Sequence, residues 1–259
     1  PGIARNLSKE FDSDWANNAV DPLVKDTIFD NNAALSKIIF NDKHPYFKAT
    51  EKKAKPTVVI SNIPKELERY EKELGVVVNK EVFKYLKRDT PLYTVEPDGQ
   101  PKIRGAYYRP DANFVKIPID ERRKNSKWYA QAVVHHEFGH AIDFQTGLRD
   151  SDKIKSLMNE ARKMYTSAEM KEIYIKAQKT LFSGDNDARE KHAAVLDTIA
   201  SIRPAINMNQ THPDAYWKKA GYKEAEFIAH ISENKFSGND VFKELMPALY
   251  KKMVDFEFD

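Results

Sequence analysis

Val133-Val134-His135-His136-Glu137-Phe138-Gly139-His140-Ala141-Ile142-Asp143 holds His136, Glu137 and His140 in the order H-E-x-x-H. Residues four apart lie one above the other on a helix, so both imidazoles can reach a single metal ion. Glu137 lies beside them and can accept a proton from a water that the metal activates. Zinc in such a site lowers the pKa of that water and polarises a carbonyl, which is the chemistry of a zinc-dependent peptidase. The same short pattern also arises by chance on solvated helices. Its neighbours argue against that origin here. Ala130, Val133, Val134, Phe138, Ala141, Ile142 and Phe144 are apolar, so the helix is expected to be buried. Buried His and Glu side chains need partners, and a metal supplies them. Gly139 is a poor helix former and suggests that another segment approaches closely. Asp143, one turn beyond His140, is a candidate acceptor for the free N–H of a ligand imidazole. His135 points about 100° away from His136 and is expected to pack elsewhere. His44 and His192 read as structural.

Working outward, residues 1–55 are polar with short helical patterns and read as an N-terminal helical arm or linker. The charged run Glu51-Lys52-Lys53-Ala54-Lys55-Pro56 is expected to be solvated. Thr57-Val58-Val59-Ile60 reads as a strand, and Pro64–Leu74 as a helix ended by Gly75. Lys80–Arg88 is a second helical candidate. Residues 91–101 hold turn chemistry, above all Glu96-Pro97-Asp98-Gly99. Ala106–Tyr108 and Phe114–Pro118 read as strands joined by a loop at Arg109–Asn113. Pro118 suits an edge better than a central position, so Phe114–Ile117 is expected at the sheet edge. An extended peptide could add there as a further strand, although an ordinary edge strand fits the pattern equally. The metal helix is expected over about Ser126–Gln145, closed by Gly147. Helices follow at about 151–164, 167–182, 186–202, 222–234 and 240–252. Strands first and helices second imply an α+β fold, zincin-like, occupying residues 56–259.

With 259 residues, 41% hydrophobic and 31% charged, the chain can bury a substantial core. No apolar run approaches the roughly 20 residues needed to span a bilayer. Pro1–Asn6 do not form a signal peptide, and the start at Pro1 reads as that of a fragment or processed form. Cysteine is absent, which excludes disulfides and thiolate ligands and leaves the compartment open. The net charge of +3 is too slight to point to nucleic acid.

Two histidines leave a catalytic zinc short of one protein ligand. A third histidine at the short downstream spacing is missing: Asp143 stands at the glycine position and Thr146 at the histidine position. A carboxylate from a later helix is the alternative. In Glu224-Ala225-Glu226-Phe227-Ile228-Ala229-His230-Ile231-Ser232-Glu233, the residues Glu226, His230 and Glu233 share one helical face. Glu226 is the first candidate, with His230 as its supporting partner. Glu224, Glu233 and Asp197 are the alternatives. His212, in the polar loop before that helix, and Tyr216 or Tyr222 are candidates to donate to an oxyanion.

His136–Asp143 followed by Glu224-Ala225-Glu226-Phe227 resembles the catalytic domain of anthrax lethal factor and the related Pro-Pro endopeptidases. The resemblance implies zinc held by His136, His140 and Glu226, with Glu137 as general base. That family places an oxyanion-stabilising tyrosine seven residues before the third ligand; here Lys219 occupies the position, flanked by Tyr216 and Tyr222. A longer stretch, roughly residues 100–235, is similar to the metallopeptidase-like domain of phage minor head proteins. It is carried by Tyr107-Tyr108-Arg109-Pro110, the Ile117 strand, Trp128-Tyr129, the metal helix, Asp197-Thr198-Ile199, Thr211-His212-Pro213, Tyr216-Trp217 and Glu226–His230. This resemblance implies phage head proteins as partners and a virion or host-cytoplasmic location; the toxin resemblance implies secretion. The resulting expectation is a gluzincin-type zinc metalloendopeptidase acting on extended peptides, with Glu137, Tyr216 and His212 as catalytic groups. The alternatives are a phage head component that retains a zinc site with little or no proteolysis, and a nucleic-acid-binding component supported only by the mild positive charge.

Overall fold

Helices begin and end in this chain where the sequence supplies caps, and that regularity sets the frame for the site. The computed structural model describes residues 62–95, 105–181, 185–207 and 212–258. The arm read at 1–55, the strand at Thr57–Ile60 and the turn at Glu96–Gly99 lie outside the described residues. Helix α1 (Ile63–Leu74) opens with Pro in its first turn and stops at Gly75, whose φ of 62° is left-handed. Its buried face is Ile63, Leu67, Tyr70 and Leu74. The helix expected at Lys80–Arg88 is instead a 3-10 turn, Lys80–Tyr85, after which Leu86 is extended. The chain must straighten here to enter a strand, and Pro91 biases the residue before it towards extended backbone.

Three strands form a mixed sheet: β1 (Leu92–Val95), β2 (Tyr107–Arg109) and β3 (Phe114–Pro118), in the order β1-β3-β2. β3 pairs in parallel with β1 and antiparallel with β2. Phe114–Ile117 is therefore the central strand, not an edge. Pro118 is tolerated because it is the last residue of β3, where only a terminal N–H is given up. The difference comes from β1: Leu92-Tyr93-Thr94-Val95 has strand composition but runs straight into the turn residues that follow it, and pairing with β1 is what makes β3 central.

Helices α2 (Glu121–Asn125), α3 (Lys127–Thr146), α4 (Asp152–Met164), α5 (Ser167–Thr180) and α6 (Asn186–Ile202) follow. The single turn α7 (Asp214–Trp217), α8 (Tyr222–Ser237), α9 (Asp240–Leu245) and α10 (Pro247–Val254) complete the described residues. The single helix expected near 240–252 is broken at Met246, because Pro247 cannot donate and forces its predecessor out of helical geometry. The fold is thus α+β, a helix-rich chain with a small mixed sheet. No described helix is long and apolar enough to cross a membrane.

α3 is the centre of this arrangement. α8 packs along it, α6 backs both, and β2 and β3 cover part of its remaining surface. Tyr70 of α1 ties in as well, its hydroxyl donating to the Ala130 carbonyl over 2.8 Å. Val133, Val134, Phe138, Ala141 and Ile142 are buried as expected, but Phe144 is 46% exposed. It follows His136 and His140 on the same helical face, and that face turns away from the apolar core.

Candidate metal centre

α3 is held at both ends. Ser126 caps its start by accepting the Tyr129 N–H at 3.0 Å, and Gly147, with φ of 69°, closes it. On this rigid element the rings of His136 and His140 lie 4.9 Å apart and nearly perpendicular. The third arm comes from α8, which meets α3 at Gly139. A Cβ there would stand 2.9 Å from both Ala229 Cα and Ser232 Cβ, so only glycine permits the approach. The Ser232 hydroxyl donates across the same contact to the His135 carbonyl at 2.7 Å.

That approach brings Glu226 to the two imidazoles. Its Oε2 lies 3.4 Å from His136 Nε2, and its Oε1 lies 3.6 Å from His140 Nε2. These separations are long for hydrogen bonds. They are near, and at His140 slightly longer than, the roughly 3.3–3.4 Å between neighbouring ligands on a tetrahedral zinc with bonds of about 2.0–2.1 Å. Glu226 is 2% exposed, and its Oε2 has no hydrogen-bond partner. A buried carboxylate oxygen without a donor is costly, and a divalent cation removes that cost. The residues present therefore fit zinc, in a His, His, Glu donor set.

Around these three lies a polar shell. His136 Nδ1 faces Glu233 Oε2 at 3.2 Å, and the same oxygen is 3.1 Å from His230 Nδ1. His230 Nε2 faces Asp197 Oδ2 at 3.2 Å. Tyr216 donates its hydroxyl to Glu226 Oε1. His212 stacks on the Tyr216 ring at 4.0 Å, with its Nε2 3.7 Å from Glu226 Oε1 and 3.6 Å from Asp197 Oδ2. Tyr222 packs edge-on against Tyr216, and Lys219 lies over the Tyr222 ring. Of the two tyrosines, it is Tyr216 whose hydroxyl reaches Glu226. Glu224 interacts with Arg162 and is in none of the metal-competent groupings among the described residues.

Electrostatics divide the imidazoles of His136 and His140. Burial favours the neutral ring at both. At His136 the Glu226 and Glu233 carboxylates outweigh it and hold the ring well above the usual histidine range. At His140 burial prevails over Glu226 and pushes the ring down to about 3. Burial would raise Glu226, but the imidazoles of His140, His136 and His212 hold it well below the usual carboxylate range. Glu137 is pushed up to about 7, chiefly by burial, with Glu226 adding to the rise. A backbone hydrogen bond from Tyr108 of β2 reaches Glu137 and works in the other direction. Burial also raises Tyr216, and the adjacent Glu226 raises it further.

The structure thus brings together His136, His140, Glu226, Tyr216 and His212, with Glu137 next to His136 on α3. Asp143 does not serve an imidazole. It accepts the Arg149 backbone N–H at 2.7 Å and pairs with the Arg149 guanidinium at 2.5 Å. Arg149 also packs beneath Gly221 at the start of α8, so Asp143 braces the α3 end against α8 rather than an imidazole. His135 turns away to Asn79 and Ser237, and His192 bonds its own helix at Ala188. His44 lies outside the described residues. Glu233 and Asp197, the alternative ligands, also stand in metal-competent groupings among the described residues, Glu233 with His136 and His230 and Asp197 with Glu226 and His230; Glu233 in addition faces His136 Nδ1. No family model, curated protein or solved structure matches the chain.

Proposed function

We propose that this chain is a zinc-dependent metalloendopeptidase with a zincin-like fold, acting on peptide or protein substrates. The convergence of His136 Nε2, His140 Nε2 and the Glu226 carboxylate, at 3.4 and 3.6 Å, carries the reading. Zinc held by these three residues would polarise a carbonyl oxygen and acidify a water. Glu137 then does the proton work. With its carboxyl pushed up to about 7, it can take a proton from the attacking water and return it to the leaving amine near neutral pH. Tyr216 Oη and His212 Nε2 are the donors for the oxyanion that develops on the substrate carbonyl. An extended peptide cannot add to β3, both of whose edges are paired.

The test couples metal content by mass spectrometry to cleavage of a mixed peptide library. About one zinc per chain is expected in the wild type and in Glu137→Ala, with clear loss in Glu226→Ala. Cleavage is expected to fall about 10²- to 10⁴-fold in Glu137→Ala. A wild-type protein that takes up no zinc on reconstitution would sink the reading. Zinc uptake without cleavage of any peptide would reduce it to a retained metal site without turnover.

A further inference from the structure

An imidazole can present either nitrogen to a metal, and the partner of the other nitrogen decides which. At His136 that partner is Glu233, whose Oε2 lies 3.2 Å from Nδ1. A carboxylate only accepts, so Nδ1 carries a proton, and Nε2, which faces Glu226, is the nitrogen left to bind a metal in exchange for its own proton. Glu233 is itself held. It is 5% exposed, and the same Oε2 takes His230 Nδ1 at 3.1 Å. His230, 3% exposed, is fixed on its far side by Asp197 of α6 at 3.2 Å. His140 has no hydrogen-bonded carboxylate on its Nδ1 among the described residues, so this anchoring serves one ligand only.

We propose that Glu233 is a positioning residue for the metal centre: backed by His230 and Asp197, it locks His136 in the Nδ1-protonated tautomer with Nε2 free to bind zinc. The proposal rests on the reading of His136, His140 and Glu226 as ligands. It assigns Glu233 no contact with substrate or metal.

The experiment compares full-length wild type, Glu233→Ala, Glu233→Gln and Glu226→Ala. Zinc affinity is measured by competition with a chromophoric chelator, and the His136 tautomer by long-range proton–nitrogen NMR on the zinc-loaded proteins. Glu233→Ala is expected to bind zinc about 10- to 100-fold more weakly, with stoichiometry at saturation still near one. Its His136 signals should lose the single Nδ1-protonated signature of the wild type. Glu233→Gln keeps an acceptor oxygen without the charge and should fall between the two. Wild-type affinity and an unchanged His136 signature in Glu233→Ala would overturn the proposal. So would loss of stoichiometric zinc at saturation, as in Glu226→Ala, because Glu233 would then be a ligand. If Glu233→Ala does not fold, the isosteric Glu233→Gln decides alone: weaker binding at unchanged stoichiometry supports the proposal, and wild-type affinity removes it. Absence of zinc from the wild type would instead defeat the functional reading, so the two failures are separable.

Discussion

His135 Nε2 faces the Asn79 carbonyl at 3.0 Å, an oxygen that only accepts, so Nε2 donates and Nδ1 accepts from the Ser237 hydroxyl. Both positions suit a neutral ring, and burial pushes His135 down to about 4, outweighing Asn79 and Glu233. Its folded pKa lies below the ordinary value near 6.5, so the unfolded chain binds more protons between those two pH values. The contribution of His135 to stability is therefore complete above about pH 6.5 and is lost as pH falls towards 4, up to about 3 kcal/mol in all. Urea titrations from pH 7 to 4 should show a shallower decline for His135→Gln than for the wild type. An identical decline would mean that other groups carry the acid sensitivity. The adjacent His136 is the proposed ligand, and helix geometry alone separates the two: a step of one residue turns a side chain through about 100°. The same geometry made His136 and His140 legible. Glu226 was legible only through the face it shares with His230 and Glu233. The role of Glu233 was not, because its partner is set by the rotation of α8 against α3. Asp143 was misread because its cation, Arg149, comes after the helix has ended and turned back.

Between elements, the contact at Gly139 decides whether the centre exists. Gly139→Ala would place a methyl group 2.9 Å from the Ala229 backbone and from Ser232, and backbone cannot swing aside as a side chain tip can. The helices must part, at a cost of about 1–3 kcal/mol, and Glu226 moves away from both imidazoles as they do. Chemical denaturation and zinc competition on this variant should show loss of both stability and affinity. Wild-type affinity would mean that α8 slides rather than separates. The helices themselves were readable from their ends: Ser126, Ser151, Thr166, Asp185 and Asn239 all accept N-cap hydrogen bonds where their helices begin. The sheet was less readable because strand order depends on partners distant in sequence. Without β1 as a partner, Pro118 makes β3 resemble an edge strand. The break at Met246 is present in the sequence as Pro247, although the apolar spacing around it favours one continuous helix.

At the scale of the whole molecule, one continuous apolar cluster runs from α1 through the sheet to the C-terminal helices, and α3 and α8 both belong to it. An ion bound between them adds to a fold that already has a core. Free zinc at 100 times its dissociation constant stabilises such a protein by about 2.7 kcal/mol. For a chain of this size that corresponds to roughly 5–10 °C in melting temperature. Thermal melts with chelator and with zinc should differ by that amount in the wild type and hardly at all in Glu226→Ala. A wild type indifferent to both would mean that no ion binds the folded state. The two halves of the centre are also separated in time. Glu226 follows His140 by 86 residues. At about 5–20 residues per second, a ribosome needs roughly 4–17 s to add that stretch. During that interval a nascent chain has made His136, Glu137 and His140 but not the carboxylate that completes the set. If the chain is the peptidase proposed above, its centre is withheld until α8 has been made and has docked, and a newly made chain passes its least folded and most cleavable stage without that activity.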